Sequence, residues 1–309
     1  MHLNNVGSLW LRRYAVFVAC CTFGLVIAGA LVASNDAALS VPDWPLSWGR
    51  LVPTLEGGIR YEFAHRVAAM LVGLMTVGLA LWIRGAAFQA GVPSGPPPFV
   101  GAFRRFLSPT SLAWAAVIVV VAQAALGGVA VRLVTPAWAT IAHASLGQLF
   151  FAIMVAICVG LYSGSEVGFH GRWAAPALVC AVALFAQTVL GAGVRYGVVA
   201  AVAHIAGAAL ATILVMWAGL SILMRQMDNP KLRRAAMLLL SITFSQVFLG
   251  LGSLMARVVY ADAPQPMPMM VLFTVAHVAV GSLALGAAVA LAMLVRLDVF
   301  LPNGGQVTA

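Results

Sequence analysis

Residues 60–83 read RYEFAHRVAAMLVGLMTVGLALWI. Beyond Arg66 the stretch carries no charge. A spanning helix needs about 20 apolar residues, whereas a barrel strand needs about 9–11 that alternate in polarity. The stretch therefore predicts a transmembrane helix. Comparable runs occupy 14–33, 110–131, 137–162, 173–194, 198–223, 233–257 and 268–296. The sequence thus predicts an all-α integral membrane protein with eight transmembrane helices. Composition agrees: 63% of the 309 residues are hydrophobic and 8% charged, which is outside the range of soluble domains.

The same stretch holds Ala64-His65. The dipeptide returns as Ala142-His143, Ala203-His204 and Ala276-His277, each time in the first half of a run. The other two histidines, His2 and His170, fall outside the runs. Three of the intervening runs end alike, in Gln123-Ala-Ala-Leu-Gly127, Gln187-Thr-Val-Leu-Gly191 and Gln246-Val-Phe-Leu-Gly250. Arg132, Arg195 or Arg257 follows each. The unit is a helical hairpin in four copies, and the first is degenerate because 14–33 has no glutamine. The repeats predict two pseudo-symmetric four-helix bundles, 1–162 and 163–309, related about the membrane normal. Segment 85–109, with Gly91 to Pro98 and Arg104-Arg105, reads as a flexible cytoplasmic connection. The outer loop 34–59 carries Asp36, Asp43, Trp44, Trp48 and Glu56, and its tryptophans suit the membrane interface.

Net charge is +9, but its placement says more. Arg12, Arg13, Arg84, Arg104, Arg105, Arg172, Arg225, Lys231, Arg233, Arg234 and Arg296 share one side of an eight-span arrangement. Arg50, Arg60, Arg66, Arg132, Arg195 and Arg257 lie on or near the other. The bias puts both termini in the cytoplasm of a cell (inner) membrane protein, with the histidines toward the outer side. The basic balance reflects topology, so a nucleic-acid partner is not expected. The first run is too long for a signal-peptide core of about 7–15 residues, so it reads as an uncleaved span. Cys20, Cys21, Cys158 and Cys180 lie within spans without metal-site spacing and read as apolar filler.

An imidazole inside a bilayer is costly, so four at one depth need a common cause. Each lies about six to ten residues into its span, roughly 9–15 Å below the outer surface. Two pairs result, His65 with His143 and His204 with His277. Imidazole suits haem iron, while zinc lacks a completing set of thiolates or carboxylates in either half. Gly147, Gly207 and Gly281 follow their histidines by three or four residues. They leave room for a flat ring, or serve ordinary close helix packing. Arg132, Arg195 and Arg257 can pair with haem propionates or snorkel to the interface. The glutamines read as interhelical hydrogen bonders. Glu62, three residues before His65, is the acid expected within a span. It can accept a proton or stabilise a cation beside the His65 site, or pair with Arg60 or Arg66.

Tyr61-Glu62-Phe-Ala-His65-Arg66, the loop Pro42-Asp43-Trp44-Pro45-Leu46, the Gln-x-x-Leu-Gly hairpins and the four Ala-His spans together resemble the haem A synthase family. The resemblance covers nearly the whole chain. It implies oxidation of the C8 methyl of haem O to a formyl group, by successive hydroxylations and loss of water, to give haem A for terminal oxidase assembly. It implies haem b as cofactor on His204 and His277. Haem O would sit as substrate between His65 and His143, with Glu62 beside it, making Glu62, His65 and His143 the catalytic set. Partners expected on the same ground are haem O synthase, an electron donor and, with the lipid bilayer around it, a second copy of the chain. One departure stands out. Many bacterial members carry a cysteine pair around the Asp-Trp-Pro-Leu loop, where this chain has Val41 and Ser47. A loop disulfide, and any mechanism needing one, is excluded.

Two other readings make different demands. A di-haem b-type cytochrome would carry electrons with no substrate and hold only plain haem b. A transporter with repeat symmetry would bind no chromophore.

Overall fold

The computed structural model describes residues 8–90, 107–163, 174–225 and 229–298. Among them lie eight helices long and apolar enough to cross a membrane. They are α1 (Leu9–Ser34), α2 (Ile59–Gln89), α3 (Pro109–Arg132), α4 (Ala137–Ser163), α5 (Ala174–Arg195), α6 (Ala201–Arg225), α7 (Pro230–Val259) and α8 (Pro268–Asp298). No strand occurs among the described residues beyond one isolated bridge between Ser47 and Arg50. Each helix corresponds to one apolar run of the sequence.

The ends differ from the runs where polar or small residues continue a helix. α1 begins at Leu9, ahead of Arg12 and Arg13, because the Ser8 side chain accepts from the Leu11 amide. Ser108 caps α3 in the same way through the Ser111 amide, with Pro109 in the first turn. Asn229 caps α7 through the Lys231 and Leu232 amides. α2 runs through Arg84 to Gln89, so the expected connection 85–109 starts as helix. Gly91 to Pro98, Arg104-Arg105, His2, His170 and the linker 164–173 lie outside the described residues.

Sequence neighbours pack as hairpins: α1 on α2, α3 on α4, α5 on α6 and α7 on α8. Buried side chains form two clusters. One joins Leu11, Val18, Leu79, Ile83, Ala116, Met154 and Ile157 of α1–α4. The other joins Cys180, Val215, Ile222, Leu239, Leu285 and Leu291 of α5–α8, with Ala152 of α4. α4 and α8 are the most buried helices and pack on each other between the clusters. Gly286 makes their approach possible, since a Cβ there would lie 3.2 Å from the Phe151 ring and 3.3 Å from Val155. Lipid gives helices no hydrophobic reason to associate, so close backbone approach of this kind supplies the packing energy. Large apolar side chains such as Leu74, Ile118, Ile213, Phe244 and Leu272 remain on the outside, where acyl chains cover them.

Gly286→Leu should therefore overpack the α4–α8 contact and destabilise the protein by about 1–3 kcal/mol. Gly24→Ala meets nothing within 4 Å and should be neutral or slightly stabilising. Thermal unfolding in detergent compares the two. Equal midpoints would show that α4 and α8 are not held at this contact.

Candidate functional site

The histidines meet in two pairs. The His65 and His143 ring centres lie 6.4 Å apart at an interplanar angle of 78°. Those of His204 and His277 lie 6.2 Å apart at 89°. All four rings are half-buried.

Each imidazole rests against a glycine of the preceding helix. A Cβ on Gly29 of α1 would sit 3.2 Å from His65, and one on Gly127 of α3 would sit 3.5 Å from His143. The corresponding values are 3.2 Å for Gly191 of α5 against His204, and 3.0 Å for Gly250 of α7 against His277. The Gly of Gln-x-x-Leu-Gly thus makes the notch that receives the ring. The reciprocal contact uses the glutamine. Gln123, Gln187 and Gln246 press on Gly147, Gly207 and Gly281 of the histidine helices. The room expected at those three glycines for a flat ring is taken by glutamine amides. The ring notch lies instead on the odd-numbered helices. Gly29 shows that the first hairpin keeps its notch although Leu25 stands where the others have glutamine.

The glutamines hydrogen-bond as expected. The Gln123 amide donates to the His143 carbonyl at 2.9 Å, and the Gln246 amide lies 3.4 Å from His277 Nε2. The Leu25, Gln123 and Gln246 carbonyls neighbour the His65, His143 and His277 rings. No Nδ1 of the four completes a hydrogen bond.

This donor set fits haem. Among the described residues no three His, Cys, Asp or Glu side chains converge, so no protein-only metal cage is built. A pair of imidazoles suits an ion that brings its other ligands with it. Metal–imidazole bonds of about 2 Å, plus roughly 1 Å from nitrogen to ring centre, put two axial ring centres about 6 Å apart. Both pairs meet that separation, and each ring has a buried nitrogen, Nδ1, without a hydrogen-bond partner.

Glu62 sits in the first turn of α2 and is buried. Its Oε1 accepts from Arg66 Nη2 at 2.5 Å, and its Oε2 accepts from the Val41 amide at 2.9 Å. Arg66 also donates to the carbonyls of Val41, Asp43 and Leu46 at 2.9, 2.7 and 3.1 Å. One guanidinium thus clamps the outer loop onto the helix that carries His65. The loop folds on itself through Asp43, which accepts from the Trp48 and Gly49 amides at 2.6 and 2.8 Å. The Gly49 bond above all holds the Asp43 carboxyl below the usual range. The Trp44 ring covers Gly128, next to the Gly127 notch of His143. The loop therefore bridges α2, which carries His65, and α3, which makes the notch for His143. Sequence reading paired Glu62 with arginine as one alternative, but missed the loop carbonyls that Arg66 gathers.

Arg132, Arg195 and Arg257 differ. Arg132 is exposed. Arg195 pairs with Asp36 at 3.1 Å and donates to the Ala33 carbonyl, linking α5 to the end of α1. Arg257 lines a cavity with Arg195. The cysteines are free, and Cys180 is buried.

No family model matches the chain. It is 28% identical over 262 residues to a protein named Heme A synthase from Symbiobacterium thermophilum, covering 73% of this chain and 79% of that one. It is 31% identical to a Heme A synthase of Shouchella clausii over 46% of this chain and 43% of that one. A Heme A synthase of Methylobacterium radiotolerans is 31% identical over 45% of this chain and 36% of its own.

Arg66→Gln leaves Glu62 buried without its cation, a loss on the scale of about 3–5 kcal/mol for a buried pair. The outer loop should become sensitive to limited proteolysis between 41 and 50. Arg60→Gln, which alters only an exposed contact with Tyr61, should not change cleavage. Equal cleavage rates in both variants would show that the clamp does not hold the loop.

Proposed function

We propose that this chain, a relative of the haem A synthase family, oxidises the C8 methyl of haem O to a formyl group and so produces haem A. Two hydroxylations of the methyl carbon, each inserting one atom of dioxygen while the other is reduced to water by two donor electrons and two protons, give a geminal diol, and loss of water gives the aldehyde. The observation that carries this reading is the two imidazole pairs, with ring centres 6.4 and 6.2 Å apart, and among the described residues a buried carboxylate, Glu62, on the histidine helix of only the first. The names of the curated relatives support the same reaction.

The roles follow the division 1–162 and 163–309. His204 and His277 hold a b-type haem, which when bound supplies a one-electron relay. His65 and His143 hold haem O as substrate. The Gly29 and Gly127 notches fix the rotation of these two rings about their helices. The Trp44 face and the clamped loop limit water from the outer side. Glu62 serves the reacting methyl. An ionised carboxylate offers about four lone-pair sites, and Arg66 and the Val41 amide use two, so two remain to accept a proton or balance positive charge. The termini lie in the cytoplasm and both sites face the outer side, a reading that the arginine bias supports. Haem O synthase supplies the substrate, and a separate donor supplies electrons. The occupied oxygens of Glu62 are the observation favouring the alternative, a di-haem electron carrier, in which Glu62 serves only the loop.

Extraction and mass analysis of bound haems tests the choice. His204→Ala or His277→Ala should remove the b-type spectrum. His65→Ala or His143→Ala should leave it and abolish haem A. These losses should exceed the roughly 10–100-fold effect of removing a supporting contact. A protein holding only plain haem b, in cells that make haem O, would decide for the carrier.

Glu62→Gln keeps shape and hydrogen bonding but removes charge. It should retain the b-type haem and cut haem A formation by roughly 100-fold or more. A hydroxymethyl intermediate should accumulate if the second oxidation leans harder on the charge. Wild-type amounts of haem A from this variant would confine Glu62 to holding the loop.

A further inference from the structure

An open cavity of about 280 Å³ lies between α1, α5, α7 and α8. Its lining includes Asp36, Arg195, Arg257, Gln265 and Thr274. Arg195 is one helical turn beyond Gly191, the notch of His204. Thr274 is three residues before His277 and so shares its helix face. The cavity therefore adjoins the second histidine pair on its outer side.

Its charge is unbalanced. Two guanidinium groups face one carboxylate, Asp36, whose side chain is 67% exposed and which pairs with Arg195 alone. Arg257 has no ion pair among the described residues, although it is half-buried. A partly desolvated cation without a counter-ion is costly, so an anion belongs here. The outer end of the first pair is different. Its half-buried arginine, Arg66, already binds Glu62 and three loop carbonyls. Arg132 is exposed.

We propose that Arg195 and Arg257 form a carboxylate site that receives the propionates of the haem held by His204 and His277, and that the first pair has no equivalent. The inference rests on the haem assignment of that pair. Guanidinium matches carboxylate in a fork of two parallel hydrogen bonds, and the Thr274 hydroxyl adds a further donor, while the Gln265 amide is held by the Tyr260 and Ala263 carbonyls. The difference separates a haem that is gripped at its carboxylates from one that is held by imidazoles and a loop. A resident cofactor needs the first arrangement, and a substrate that must leave needs the second.

The probes are haem b and its dimethyl ester, which has the same ring and iron but no propionate charge. Each is titrated into apo full-length protein carrying His65→Ala and His143→Ala, so that only the second pair is available. Haem b should bind tighter than the ester by roughly tenfold or more, the scale of a charge-assisted hydrogen bond. Arg195→Gln with Arg257→Gln should weaken haem b to the level of the ester and leave ester binding unchanged. Equal affinity of the unsubstituted cavity for both porphyrins would overturn the carboxylate site, and this comparison needs no arginine variant to fold. So would a preference for haem b that survives loss of both arginines. Failure of both porphyrins to bind with bis-imidazole spectra would instead sink the haem assignment itself.

Discussion

The contact of an imidazole with a bare glycine backbone governs the layout of this protein. A histidine within an apolar helix must be turned toward another helix, because lipid offers no partner for its nitrogens. A side chain at the facing position would hold the two helices apart. Gly29, Gly127, Gly191 and Gly250 remove that obstacle, and the ring occupies the space where a Cβ would stand. In three hairpins a glutamine locks the opposite side of the same interface. Helix rotation is then fixed by two short-range contacts. Each ring faces its counterpart from the neighbouring hairpin.

The first hairpin reaches the same geometry by other means. Leu25 cannot donate a hydrogen bond, so no amide latch fixes α2 against α1. The Arg66 clamp replaces it from above, tying the start of α2 to Val41, Asp43 and Leu46. Backbone carbonyls are the acceptors, so the loop sequence can vary without losing the tie. Val41 and Ser47 flank the Pro42–Leu46 stretch, so no disulfide closes it. The chain holds this loop with a buried ion pair, an Asp43 turn and the Trp44–Gly128 contact, and needs no covalent bond to do so.

The eight spans were legible because run length and hydropathy suffice to set a membrane helix. Their ends were less so. Ser8 and Asn229 extend α1 and α7 through polar residues, where capping rather than hydropathy decides. The repeated Ala-His dipeptides gave the pairing of His65 with His143 and of His204 with His277. Of the two roles open to Gly147, Gly207 and Gly281, close helix packing is the one the structure shows, and spacing alone left the choice open for a specific reason. Spacing along one helix tells which residues share a face, but not what the neighbouring helix brings to it. Gly147, Gly207 and Gly281 do share the histidine face, yet the glutamines fill them. Gly29 carried no motif to mark it. The Arg66 clamp was hidden because its acceptors are main-chain atoms, which every residue has.

The tie between Arg195 and Asp36 joins residues 159 positions apart, while Gly29 and His65 close within one hairpin. Loop closure costs more entropy as the enclosed chain lengthens. Contacts within a hairpin therefore have the kinetic advantage as the chain emerges from the ribosome and enters the bilayer. Each notch can be filled when its second helix arrives, without waiting for the rest of the chain. The bond from α5 back to α1 must come later, after the third hairpin has begun. The order of biogenesis is written into the spacing of these contacts: rings seated hairpin by hairpin, then the fifth helix tied back to the first.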